Sequence, residues 1–226
     1  EVRDETALLK RLHGNHHITH APDETYRYPL RAPGDLKTRP IVIGTGPCGL
    51  FAGLSLARMG FRPIILERGK SVRERTKDVW NFWREHRLNP ESNVQFGEGG
   101  AGTFSDGKLH TGIKDRGHHI RQILNDFVDA GAPEEILYIS KPHIGTLRLV
   151  KVVEKLREMI LELGGEIRFE SHVTDIIIEN DGVRGVTLAG GETISTDHVV
   201  LAVGHSARDT FEMLHHRRVH IEPKPF

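Results

Sequence analysis

The residues with the clearest chemical potential are glycines. Gly44-Thr-Gly46-Pro-Cys-Gly49 has the spacing G-x-G-x-x-G, and Glu67 follows 23 residues after Gly44. Backbone without a Cβ lets a phosphate come close. A helix that opens at such a turn offers free N–H groups and the positive end of its dipole to an anion. An acid about 20 residues further on accepts hydrogen bonds from ribose hydroxyls. In this reading Gly44 permits the tight turn and Gly46 the approach of a pyrophosphate, with Pro47 and Cys48 opening the helix beside it. Gly49 and Gly53 let the helix lie close on its strand. Glu67 faces the ribose, where its charge disfavours a 2′-phosphate. Arg68, directly after it, stands where an anionic ligand would pass.

Gly97-Glu-Gly99-Gly100-Ala101-Gly102 repeats the same spacing, but Thr103-Phe-Ser105-Asp-Gly-Lys108 follows it instead of an apolar-periodic helix. It reads as backbone lying against a flat ligand or its phosphates, with Thr103, Ser105 and Lys108 as donors. Asp106, Lys108 and His110 are acid–base candidates if this loop borders a substrate, yet no spacing pairs a nucleophile with its base. No catalytic residue is assigned. Cys48, the lone cysteine, fits a small-residue slot better than a redox role. The histidines cluster as His13/His16/His17/His20, His118-His119 and His215-His216, but none sits in a zinc motif, so no metal site is assigned.

These groups need elements to position them. Ile41-Val-Ile43 reads as a buried strand, Pro47 to Met59 as a helix closed by Gly60, and residues 62–67 as a second buried strand. So short a β-α-β unit makes the two strands parallel. Ser71-Val-Arg-Glu74 has the form of a capping box opening a helix to about Arg87. Arg68, Lys70, Arg73, Arg75 and Lys77 crowd its start, and all but Arg68 read as a solvated face. Residues 88–115 form a glycine-rich loop. Ile120, Ile123, Leu124, Phe127 and Val128 mark one helix face, and Leu149 to Leu163 another. Residues 166–170 alternate like a strand. Residues 173–203 read as a meander turning at Asp181-Gly182 and Gly190-Gly191, and ending in the apolar run Val199–Val203 before Gly204.

The expected fold is α/β: a Rossmann-like, doubly wound parallel sheet with helices on both faces and an inserted antiparallel meander. Residues 1–38 read as a polar arm or the remnant of an upstream domain, and 39–226 as the binding domain.

With 226 residues, 31 basic and 31 acidic side chains and a net charge of zero, the chain lacks the electrostatic footprint of a nucleic-acid or anionic-membrane binder. One cysteine excludes an internal disulfide framework, and a cytoplasmic location is the expectation. Residues 40–57 carry no charge over the length of a membrane helix, but their prolines and glycines argue against a span.

The runs Ile41–Gly53 and Ile64–Gly69 resemble the FAD-binding start of the glutathione reductase-type flavoproteins. Asn93–Leu109, Lys141–Thr146 and Leu201–Asp209 resemble the bacterial FAD-dependent dehydrogenases described as NAD(FAD)-utilising dehydrogenases, over about residues 38–226. The resemblance implies FAD as cofactor and NAD(P)H as a transient electron donor. It sets Gly44, Gly46 and Gly49 on the pyrophosphate, Glu67 on the adenosine ribose and Val173 against the adenine. It brings the Gly99–Ser105 loop near the flavin, and Gly204 closes a second contact segment. Such proteins carry a longer C-terminal portion, so this chain is expected to be incomplete. The function implied is a FAD-dependent oxidoreductase passing a hydride between a nicotinamide or small organic substrate and the flavin. The competing readings are a non-catalytic nucleotide-binding fragment, an NAD-only dehydrogenase and a histidine metal module.

Overall fold

The computed structural model describes residues 4–18, 23, 25–115 and 117–223. A short helix, α1 (Glu5–Arg11), opens the chain, capped by the Asp4 carboxylate on the Ala7 N–H at 2.9 Å. It lies in the arm, where no helix is expected from the sequence, and it buries no residue. Four polar contacts tie down the end of the arm and the residue that follows it. Arg58 donates to the Tyr28 hydroxyl at 2.8 Å, and the Ala32 N–H to the Met59 carbonyl at 2.7 Å. Thr38 bonds Asp197 at 2.5 Å, and Arg39 pairs with Glu166 at 2.7 Å.

The core begins with β1 (Ile41–Ile43), α2 (Pro47–Arg58) and β2 (Ile64–Leu66). The uncharged 40–57 stretch is thus divided between a strand, a turn and a helix. No helix among the described residues is long and apolar enough to cross a membrane. Next come α3 (Val72–Glu85), α4 (His119–Asp129), α5 (Thr146–Glu162) and β3 (Glu166–Arg168). Then follow β4 (Val173–Glu179), β5 (Gly182–Leu188), β6 (Thr193–Ser195), β7 (Val199–Leu201) and α6 (Arg208–His216).

β3, β2, β1 and β7 form a parallel sheet in that order, with Ile41, Val42 and Ile43 paired to both neighbours. β4, β5 and β6 form a separate antiparallel sheet. The meander therefore ends at β6. Val199–Leu201, expected as its last strand, crosses to the parallel sheet and pairs there with Ile41–Ile43 of β1.

Strand alternation explains the layers. Val42 and Ile65 point to one face, where they meet Leu50 and Leu54 of α2 and Leu156 and Ile160 of α5. Ile41, Ile43, Ile64 and Leu66 point to the other, where they meet Val173, Ile176, Val186 and Leu188 of the meander and Leu214 of α6. One face is covered by helices and the other chiefly by the antiparallel sheet, which takes the place of the expected second helical layer.

Candidate functional site: a cavity at the carboxyl ends of the parallel strands

β1, β2 and β7 all end on one cavity of about 660 Å³, within the size range of ligand sites. The chain runs from β1 outward to β2 and β3, then returns to the other side of β1 as β7. That reversal is the switch point at which open α/β sheets bind ligands. Of the expected site residues, ten border the cavity: Gly44, Gly46, Pro47, Cys48, Glu67, Arg68, Gly100, Ala101, Val173 and Gly204.

The turn between β1 and α2 is built by close approach. A Cβ on Gly49 would stand 1.9 Å from the Gly44 carbonyl oxygen, so no other residue fits there. That steric demand keeps Gly49 buried behind the turn and off the cavity wall, and its role is packing rather than ligand contact. Pro47 is the first residue of α2, where its missing N–H costs nothing.

Glu67 departs from the expectation. Its carboxylate is 4% exposed. One oxygen accepts from the Thr45 N–H and hydroxyl, at 2.8 and 2.6 Å. The other accepts from the Gly69 and Gly97 N–H groups, at 2.8 and 3.0 Å. Four protein donors fill the acceptor capacity of a carboxylate, leaving none for a ribose in this arrangement. Glu67 instead ties the first glycine turn to the second.

Arg68 is likewise engaged by protein. It pairs with Glu91 at 3.0 Å and Asp209 at 2.9 Å, and its guanidinium lies 4.2 Å from the centre of the Phe96 ring. Burial lowers its proton affinity, but hydrogen bonds to Glu91 and Asp209 outweigh that and raise its pKa. His172 stands between the same two carboxylates, 3.2 Å from each. Arg68 therefore clasps the cavity rim; it is not a free cation awaiting an anion.

The second glycine run is only partly a cavity wall. Gly100 has φ +67°, and a Cβ there would lie 2.9 Å from Gly46 Cα, so the two glycine turns meet backbone to backbone. Gly99, Gly102, Thr103 and Ser105, expected as contacts, do not border the cavity. The Thr103 hydroxyl is buried without a hydrogen-bond partner. The Ser105 hydroxyl donates to the Gly102 carbonyl at 2.7 Å, which closes a short 3-10 turn over Ala101–Phe104. Asp106, Lys108 and His110 also lie off the cavity; Lys108 pairs with Asp106 at 3.3 Å in solvent.

Two buried charges that sequence reading missed organise this loop. Arg75, expected on a solvated face, is 0% exposed. It donates to the carbonyls of Asn93, Val94, Gly97, Glu98 and Gly100, at 2.7 to 3.2 Å. Burial lowers its pKa to about 10, against the pull of Glu67 and Glu98, so it remains charged at neutral pH. Glu98, also 0% exposed, accepts from the Val72 N–H and from Arg157, both at 2.7 Å. It thereby caps α3. The expected capping box fails because the Ser71 hydroxyl donates to Glu74 at 2.8 Å instead of accepting from the helix. Burial pushes Glu98 up to about 6, although the Val72 N–H and Arg157 pull it down. The signal for Arg75 was present in the sequence: Val72, Arg75 and Val79 share one helical face.

Among the described residues no group of three or more histidine, cysteine or acidic side chains is arranged to hold a metal ion. His20 lies outside the described residues.

Residues 138–225 match the family described as "FAD dependent oxidoreductase". The chain is 50% identical over 192 residues to an uncharacterized protein of Clostridium beijerinckii, covering 85% of this chain and 36% of that protein. It thus spans about a third of the length of this curated relative. Among solved structures, it is similar to Thermovibrio ammonificans THI4 (19% identity, 80% of this chain and 62% of that one, TM-score 0.53). It is also similar to L-proline dehydrogenase from P. horikoshii (14% identity, 78% and 55%, TM-score 0.51). These two likenesses show a shared fold. The family match covers residues 138–225, less than half of the chain.

Proposed function

We propose that this chain holds FAD in the cavity and forms the cofactor-binding part of a FAD-dependent oxidoreductase of dehydrogenase type. The observation that carries the reading is the meeting of Gly46 and Gly100, backbone to backbone, at the opening of α2. A side chain at Gly100 would collide with Gly46, and the α2 N–H groups there favour a pyrophosphate. The donor set fits the cofactor: the turn from Gly46 to Cys48 for the phosphates, Val173 and Phe96 for the adenosine half, and Ala101 and Gly204 further along. FAD when bound supplies hydride transfer. The protein's own part is to orient it, exclude water and set the local field. NAD(P)H as donor and a small organic substrate belong to the same proposal. The finer likeness to the NAD(FAD)-utilising dehydrogenases is also part of it.

A second reading, a FAD-binding unit without turnover of its own, is favoured by a specific observation. The three acid–base candidates of the glycine loop lie off the cavity. The test is the visible absorption spectrum before and after FAD addition and desalting. A retained flavin spectrum is expected, and a colourless protein overturns both readings. Bleaching of the bound flavin by NAD(P)H under anaerobic conditions separates the first reading from the second.

A further inference from the structure

The guanidinium of Arg75 is the centre of the second glycine run. It touches no carboxylate; its contacts are five backbone carbonyls and the Phe104 ring, 4.9 Å from the ring centre. Turning a carbonyl inward has a consequence for the rest of its peptide plane. In a planar trans peptide the N–H points opposite to the C=O. The peptide planes that join Glu98 to Gly99 and Gly100 to Ala101 both follow this rule. The Glu98 carbonyl faces Arg75 at 2.7 Å, and the Gly99 N–H on its far side donates to the Thr45 carbonyl at 2.9 Å. The Gly100 carbonyl faces Arg75 at 2.9 Å, and the N–H on its far side is that of Ala101, which borders the cavity. Ala101 opens its 3-10 turn, so its N–H has no acceptor within that turn.

We propose that Arg75 is a positioning residue for the cofactor: by gathering the loop carbonyls, it aims the Ala101 N–H into the cavity as a hydrogen-bond donor to an oxygen or nitrogen acceptor on the flavin half. This rests on the FAD reading above. The role belongs to the fork of an arginine. A lysine keeps the charge, but its compact ammonium has three donors and cannot span five carbonyls.

Two variants test it. Ala101→Pro deletes the single N–H while leaving Arg75 untouched, and proline is tolerated at the first position of a helical turn. Arg75→Lys loosens the loop that aims the same N–H. Both are titrated with FAD and with ADP, which lacks the flavin half. In both variants the FAD Kd is expected to rise about tenfold, the worth of one hydrogen bond. The ADP Kd should stay within about twofold, and the long-wavelength absorption band of bound flavin should shift. Amide exchange at Ile64, whose N–H is held by the Pro40 carbonyl at 3.0 Å, checks that the sheet is intact. Ala101→Pro protein that binds FAD with wild-type affinity and spectrum overturns the proposal. So does Arg75→Lys protein that weakens FAD and ADP equally, since that marks a structural role alone. Wild-type protein that binds no FAD overturns the flavin reading and this one with it. Wild-type binding with indifferent variants overturns this one only.

Discussion

Glu67 and Glu98 do different work with the same functional group. Glu67 collects four donors from three backbone segments and is electrostatically complete. Glu67→Gln would set an NH₂ group against N–H donors. The expected cost is about 2–4 kcal/mol in a urea titration, since buried donors left without acceptors cost about 1–3 kcal/mol each. Glu98 keeps one carboxylate oxygen buried and without a partner. Its folded pKa of about 6 lies above the ordinary 4.5, so the folded state binds the proton more tightly than the unfolded state does. The stability this contributes is present in full below about pH 4.5 and is lost as pH rises through about 6. The effect is on the order of 2 kcal/mol. Relative to pH 7, the stability of Glu98→Gln at pH 4.5 should fall below that of the wild type by about that amount, as read by urea unfolding at both pH values. An unchanged difference would show that Glu98 does not titrate in this window.

At the scale of elements, the site is a junction of two glycine turns and three strand ends. The opening of α2 is fixed by packing behind it, through Gly49, and left open in front, through Gly46. A Cβ at Gly46 would stand 3.8 Å from Gly100 Cα, an ordinary contact. Gly46→Ala is therefore expected to fold and to bind FAD more weakly. Gly46→Val should keep its unfolding midpoint and lose FAD binding altogether, as read by quenching of flavin fluorescence. Gly100→Ala is different in kind. Its φ of +67° and the 2.9 Å approach to Gly46 Cα strain the backbone itself. Both FAD affinity and thermal stability should fall, the latter by about 1–3 kcal/mol for such a conformation.

For the whole molecule, β7 decides whether there is a cavity. It pairs along the full length of β1 and carries Leu201 to Gly204 to the site. A chain ending before Val199 would leave β1 as an edge and open the cavity on one side. Cooperative thermal unfolding should be lost, and calorimetry of that truncation checks it. The β-α-β unit and the glycine spacing were legible from residues 41–67 alone, because each rests on local rules of period, capping and turn. The helices over 119–129 and 146–162 were legible for the same reason. The partners of Glu67, Arg68 and Arg75 were not. Each is a charged side chain whose neighbours lie on segments distant in sequence, and only packing brings those together. Charge in sequence suggests solvent; burial with enough partners overrules it. The sequence by itself determined that a strand, a glycine turn and a helix would follow one another over residues 41–58. Only the tertiary structure decided which glycines border the cavity and which pack against neighbouring backbone. It alone also decided that Val199–Leu201 leaves the meander for the parallel sheet, because that choice depends on which surfaces remain uncovered after the chain has folded back on itself.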